Sequence, residues 1–239
     1  YKVNLMLEQL DLQNLMVLDI ETVPQYPDFS NVPDHFKELW DKKTLYQRKN
    51  EESAEEFYSR AGIWAEFGKI VCISVGIFTH TNQLRVKSFY HHDEKEILQQ
   101  FIQLLNHQSN QLILCAHNGK EFDFPYLCRR MLINGFKIPS QLNISGKKPW
   151  EVNHLDTMEL WKFGDYKNYI SLNLLAAIFD IPTPKDDIDG SMVAEVYWKE
   201  DNLNRIKTYC QKDVVTTARI IQKFKRLEAL SDEQIIFVD

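Results

Sequence analysis

At 239 residues the chain is long enough for one large domain or two small ones. Apolar residues make up 44% and charged residues 26%, an ordinary globular balance, and no run of about 18 apolar residues is present to span a membrane. The formal charge of −6 speaks at first sight against a nucleic-acid partner, but it excludes little if several carboxylates bind cations, since setting aside four such acids leaves −6 + 4 = −2.

The polar start of the chain carries no signal-peptide pattern. LMVLDI (15–20) reads as a short buried strand. Residues 25–61 then turn polar behind Pro24, with Pro27 and Pro33 early and the charged, helix-favouring KNEESAEEFYSR later. That stretch exceeds an ordinary connection, so a helical insertion is expected at 25–61. Its Phe36, Trp40, Tyr46, Phe57 and Tyr58 suit helices packed beside a site, with a plain surface insertion as the alternative. KIVCISVGIFTH (69–80) and QLRVKSFY (83–90) predict two strands around a turn at Thr81-Asn82. Asp93 is placed to cap a helix through about Leu105, and QLILCA (111–116) is a fourth strand. FDFPYLCRRMLINGF opens a helix that Gly135 ends. Beyond it helices are expected at 157–163, 171–179, about 190–199, and about 202 to 229. The order gives one α/β domain over 1–239 on a mixed sheet, with no internal repeat or separating linker.

The four cysteines, Cys72, Cys115, Cys128 and Cys210, show no C-x-x-C spacing. Buried reduced thiols and a cytoplasmic location are expected, not a zinc site.

Asp19 and Glu21 stand two apart in a strand, so both project from one face. They end an apolar run, where burial is costly without a cation or partner; a strand end that reaches solvent is the plainer alternative. Asp123 follows a strand and the Asn118-Gly119 turn, as a helix N-cap or as a metal ligand. The spacing Tyr-x-x-x-Asp occurs twice, at Tyr197 with Asp201 and at Tyr209 with Asp213. Leu203, Ile206, Cys210, Val214, Thr217, Ile221 and Phe224 form the apolar stripe of the last helix. Asp213 falls at its edge and Tyr209 just beyond, so this pair can reach a site beside the sheet. Asp201 reads as a cap to that helix, Tyr197 as packing, and Asp156 in HLDTMELW as a cap to the helix at Thr157.

Three motifs thus occur in order: D-x-E at 19–21, N-x-x-x-F-D at 118–123 and Y-x-x-x-D at 209–213. Together they resemble the motifs of the DEDD 3′–5′ exonucleases, DnaQ-like members of the RNase H-like superfamily, in the tyrosine-bearing subclass. The histidine subclass would carry its His where this chain has Thr208. FGKIVCISVG (67–76) and DIDGSMV (187–193) further resemble the exonuclease domain of family B DNA polymerases and a related predicted bacterial family. The resemblance implies an RNase H-like mixed β-sheet flanked by α-helices. It implies 3′–5′ hydrolysis of single-stranded DNA with two ions of Mg²⁺ or Mn²⁺.

By the same resemblance Asp19 bridges both ions, Glu21 and Asp213 help hold the one carrying the attacking water, and Asp123 serves the second. Tyr209 orients that water and takes its proton late at most, because a free phenol is a poor base at pH 7. Ile20, Thr22, Asn118, Phe122 and Leu172 are the substrate-binding candidates, and single-stranded 3′ ends the partner, DNA before RNA. Arg129, Arg130, Lys147, Lys148, Lys162, Lys167 and Lys185 are candidate phosphate contacts, with solvated surface charge as the plainer reading. An exoribonuclease and a catalytically silent nucleic-acid-binding module are the competing functions.

Overall fold

The computed structural model describes residues 7–49, 51–109, 111–148, 151–182 and 188–238. Its centre is β1 (Leu15–Pro24), whose side chains alternate between two helical layers. Met16, Leu18 and Ile20 face one layer, packed with Ile97, Leu98 and Phe101 of α2 (Glu94–Asn106) and Phe124, Leu127 and Met131 of α3 (Asp123–Ile133). Leu15 and Val17 face the other layer, where Val214, Ala218 and Ile221 lie on α7 (Leu203–Phe224). Each such aliphatic side chain, taken fully out of water, contributes about 1.5–3 kcal/mol.

β2 (Gly68–Phe78) runs antiparallel to β1, and β3 (Leu84–Tyr90) runs antiparallel to β2. β4 (Ile113–Ala116) is parallel to β1, and the short β5 (Leu155–Asp156) is parallel to β4. With β6 (Ile235–Val238) parallel to β3, the order is β5-β4-β1-β2-β3-β6. The sheet is mixed and flanked by helices, as the resemblance implies, and only β2 opposes the rest. Among the described residues no helix is long and apolar enough to cross a membrane.

Several boundaries differ from expectation. The first strand continues to Pro24, carried by its pairing with β2, so the acids lie within it and not at its end. The last helix stops at Phe224, where Lys225 leaves helical geometry, and residues 235–238 add a sheet strand where no element was expected. β5 is two residues long, too short for any periodic signal. The helix expected at about 190–199 spans Val193–Trp198 (α6), and Ser171 caps α5 (Leu172–Ile178). The cap of α7 is Asn202, whose side chain accepts from the Arg205 amide; Asp201 sits before it at φ 50.

The 25–61 stretch holds α1 (Asp34–Thr44) and a 3-10 segment, Glu56–Ile63. Trp40, fully buried, is surrounded by Phe57, Tyr58, Trp64 and Phe67 at centroid distances of 5.1–5.9 Å. Its indole N–H donates to the Ala54 carbonyl at 2.7 Å. Phe36 packs at the edge of this group, whereas Tyr46 is 94% exposed and joins no core. Gly62 lies so close to β1 that a Cβ there would meet the Val23 carbonyl carbon at 3.0 Å.

Candidate active site

The alternation of β1 sends Asp19 and Glu21 toward the α7 layer, away from Ile20. Their β2 partners are Ser74 and Cys72, small buried residues that leave room above the sheet. A β-bulge follows directly, between Glu21 and Thr22. On the other side β4 pairs with β1 only along Leu15–Val17, so the edge of β1 beyond Val17 is open to the segment that follows β4. That segment brings in Asp123, the first residue of α3, whose carboxylate accepts from the Ile20 amide. α7 lies tight on β2, where a Cβ on Gly76 would meet Val214 at 2.8 Å. Its Tyr209 hydroxyl donates to the Asp213 carboxylate.

The electrostatics tie these residues together. Burial, then the Asp213 and Asp123 charges, raises the Asp19 carboxyl well above the usual carboxylate range. Burial, then Asp19 and Asp213, does the same to Glu21. Asp123 is raised to about 7, mainly by burial and partly by Asp156 and Asp213, against the lowering effect of its own amide and that of Ile20. Burial and the neighbouring Asp213, Glu21 and Asp19 push the Tyr209 phenol far above its ordinary value. Asp19 is half-buried as a residue, but its Oδ2 is fully buried with no hydrogen-bond partner. Crowded acids with an orphaned oxygen are the donor set that a hard divalent cation fits.

Among the described residues, donor atoms of Asp19, Glu21 and Cys210 lie within 4.8 Å of one another. Cys210 was legible only as part of the apolar stripe. Its Sγ–H donates to the Asp19 carbonyl at 3.4 Å, and burial, with Cys72 beside it, drives the thiol pKa up. It therefore acts as a protonated donor under the strand and leaves the ligand role to oxygen.

Asp156 is buried, and its carboxylate accepts from four backbone amides: Met158 and Glu159 at the start of α4 (Thr157–Lys162), and Asn118 and Lys120. It caps α4 and also clamps the turn that delivers Asp123. Asn118 sits in that turn in the left-handed region, φ 63. Phe122, half-buried, lies 5.3 Å from the Tyr126 ring. The Tyr126 hydroxyl, bonded to Thr22, donates to the Gly62 carbonyl at 2.8 Å and so hooks the insertion to the bulge. The Ile20 side chain is in the core, 5% exposed. Leu172 packs with Ile170, Leu175 and Ile220, beside α4.

Tyr197, buried, bonds Lys69 at 2.9 Å and His92 at 3.2 Å and does not meet the acids. Arg130 is no surface charge: it is 5% exposed and paired with Glu94. Lys185 lies outside the described residues.

Fold and site together define an α/β domain with a carboxylate centre beside its central strand. The chain belongs to a family described as a predicted 3′-5′ exonuclease related to the exonuclease domain of PolB, whose model matches residues 63–235. Those residues hold Asn118, Phe122, Asp123, Leu172, Tyr209 and Asp213, but not Asp19, Ile20, Glu21 and Thr22. A DNA polymerase of Pyrococcus glycovorans is 23% identical over 149 residues, covering 57% of this chain and 19% of that protein. The structure of the family B DNA polymerase from the hyperthermophilic archaeon Pyrobaculum calidifontis aligns over 92% of this chain and 27% of its own, with a TM-score of 0.47 and 15% identity. The chain thus spans less than a third of either relative.

Proposed function

We propose that the chain is a divalent-metal-dependent exonuclease that removes nucleotides from the 3′ end of single-stranded DNA, with two ions of Mg²⁺ or Mn²⁺ held by Asp19, Glu21, Asp123 and Asp213. The observation that carries this reading is the buried, partnerless Oδ2 of Asp19 among acids of two other elements. The family match supports it from the other direction, because the charges of Asp123 and Asp213, inside the matched residues, act on Asp19 and Glu21, outside them.

When bound, such ions supply a water acidic enough to attack a phosphodiester near neutral pH. Tyr209 keeps its proton in this scheme: its pKa is raised and its O–H is donated to Asp213, so its oxygen is free to accept from the attacking water and orient it. Glu21 accepts from the terminal 3′-OH, which is why attack begins at a strand end. Phe122 stacks on the last base, with Asn118 and Leu172 flanking it, while Ile20 and Thr22 shape the bulge beneath. The free thiols suit a reducing cytoplasm.

The test is digestion of 5′-labelled DNA and RNA strands with Mg²⁺, with Mn²⁺ and with EDTA. A ladder of shortening DNA products that EDTA abolishes is expected. Efficient cutting of circular single strands would defeat the exonuclease reading, and faster shortening of RNA would reassign the substrate.

A further inference from the structure

Three aromatic rings outside any core stand together on the connection between α4 and α5. Phe163 is 82% exposed, Tyr166 84% and Tyr169 66%. Phe163 holds a left-handed backbone, φ 44, followed by Gly164 at φ 91. A non-glycine residue is disfavoured there, and this one ends α4 with its ring in solvent.

The connection is anchored at the rim of the acid centre. His117, the residue after β4, donates from Nε2 to the Ile170 carbonyl at 2.9 Å. Its Nδ1 then accepts from the Thr157 hydroxyl at 2.8 Å, since a carbonyl leaves only the donor role to Nε2. Lys162 lies 3.7 Å from Glu121 and stands over the Tyr169 ring at 4.2 Å from its centroid. The aromatic connection is thus fixed to residues 117–121, the turn that delivers Phe122 and Asp123. Lys167 is exposed among the rings, and the neighbouring Asp165 carboxylate is engaged by the Lys167 amide at 3.2 Å.

We propose that residues 163–170 are the platform on which a single-stranded nucleic acid stacks its unpaired bases as it leaves the acid centre. The proposal rests on the exonuclease reading for the strand's path. Flat rings open to solvent match bases whose faces are free, and stacking tolerates any sequence. The interleaved Lys167 suits the phosphate backbone of that occupant and not an uncharged apolar partner.

The test is a fluorescence-anisotropy titration of a 5′-fluorescein oligothymidylate in EDTA, with parallel digestion in Mn²⁺. The variants are Phe163→Ala, Tyr166→Ala and Tyr169→Ala, singly and combined. Phe237→Ala, 56% exposed on β6 at the opposite sheet edge, is the control. Each single loss should weaken Kd roughly tenfold, the combined variant more, and the control should bind as wild type. The rings are outside the core, so the combined variant should melt at the wild-type temperature. Loop-dependent binding without nucleotide release would support the platform and overturn the exonuclease reading. Unchanged binding and cleavage in the combined variant would overturn the platform and leave that reading standing. Intact strand binding with loss of self-association would also overturn it, making the rings a contact between copies.

Discussion

Two buried carboxylates, Glu94 and Asp19, sit on opposite faces of the same sheet and are treated in opposite ways. Glu94 accepts from Arg130 Nε at 2.8 Å and from the second Arg130 nitrogen, from the Ile70 amide at 2.7 Å and from Asn134 at 2.8 Å. The same Arg130 reaches the Gln25 side chain at 3.2 Å, at the start of the insertion, and the Ala65 carbonyl at 2.9 Å, just past its end, so the pair also ties both flanks of the insertion together. Asp19 has an orphaned oxygen, and its charged neighbours are further acids. One acid is completed by the chain, whereas the other keeps an oxygen with no partner, where the proposed cations would bind. A closed ion pair of this kind holds structure, and breaking one side of it exposes a buried charge. The open centre is destabilising by itself, because burial and like charge both act on Asp19 and Glu21.

The contrast can be broken at either end. Asp19→Ala should take nuclease activity to background while removing the rise in melting temperature caused by Mn²⁺. A Mn²⁺ shift that survives in this variant would remove Asp19 from the ligand set.

The open acids should also set the pH response of the metal-free protein. Asp19, Glu21 and Asp123 hold protons more tightly folded than unfolded. Their contribution to stability is therefore full below about pH 4, the unfolded carboxylate range, and is lost as pH rises through about 7, where folded Asp123 ionises. Thermal melts in EDTA should fall across that window and flatten when Mn²⁺ is added. A flat profile in EDTA would mean the acids are compensated from within.

Arg130→Ala should act on the closed pair, lowering stability by about 3–5 kcal/mol in a denaturant titration, with the Mn²⁺ shift retained. Tyr209→Phe keeps the ring and loses only the hydroxyl. Single-turnover assays should show a loss near 10²-fold, roughly the low end for a positioned proton-handling group, and folding should be intact. Tyr197→Phe is the smallest change. It loses hydrogen bonds to Lys69 and His92, worth about 1 kcal/mol, and should leave the rate alone. If Tyr197→Phe proved the slower enzyme, the choice between the two tyrosine pairs would be reversed.

The motif acids were legible because local rules place them. A two-residue spacing in a strand and a four-residue spacing on a helix each fix a common face without knowledge of the rest. What local rules cannot see is which layer that face meets. Arg130 reads as a surface charge because nothing near it in sequence reveals Glu94, 36 residues earlier. Cys210 and Asp156 carry local explanations, an apolar stripe and a helix cap. Each has a second job that depends on a distant partner, Asp19 across 191 residues and Asn118 across 38.

By itself the sequence determined the strands and helices that carry the acids and the resemblance that named the class. Tertiary structure alone decided that β1 runs past its acids and that the open edge beyond β4 admits Asp123. It also decided that residues 235–238 form a strand, and that Phe163, Tyr166 and Tyr169 stay outside the core. The physical reason is that strand length, register and exposure follow from pairing and packing between distant segments, whereas helix faces and caps follow from neighbours along the chain.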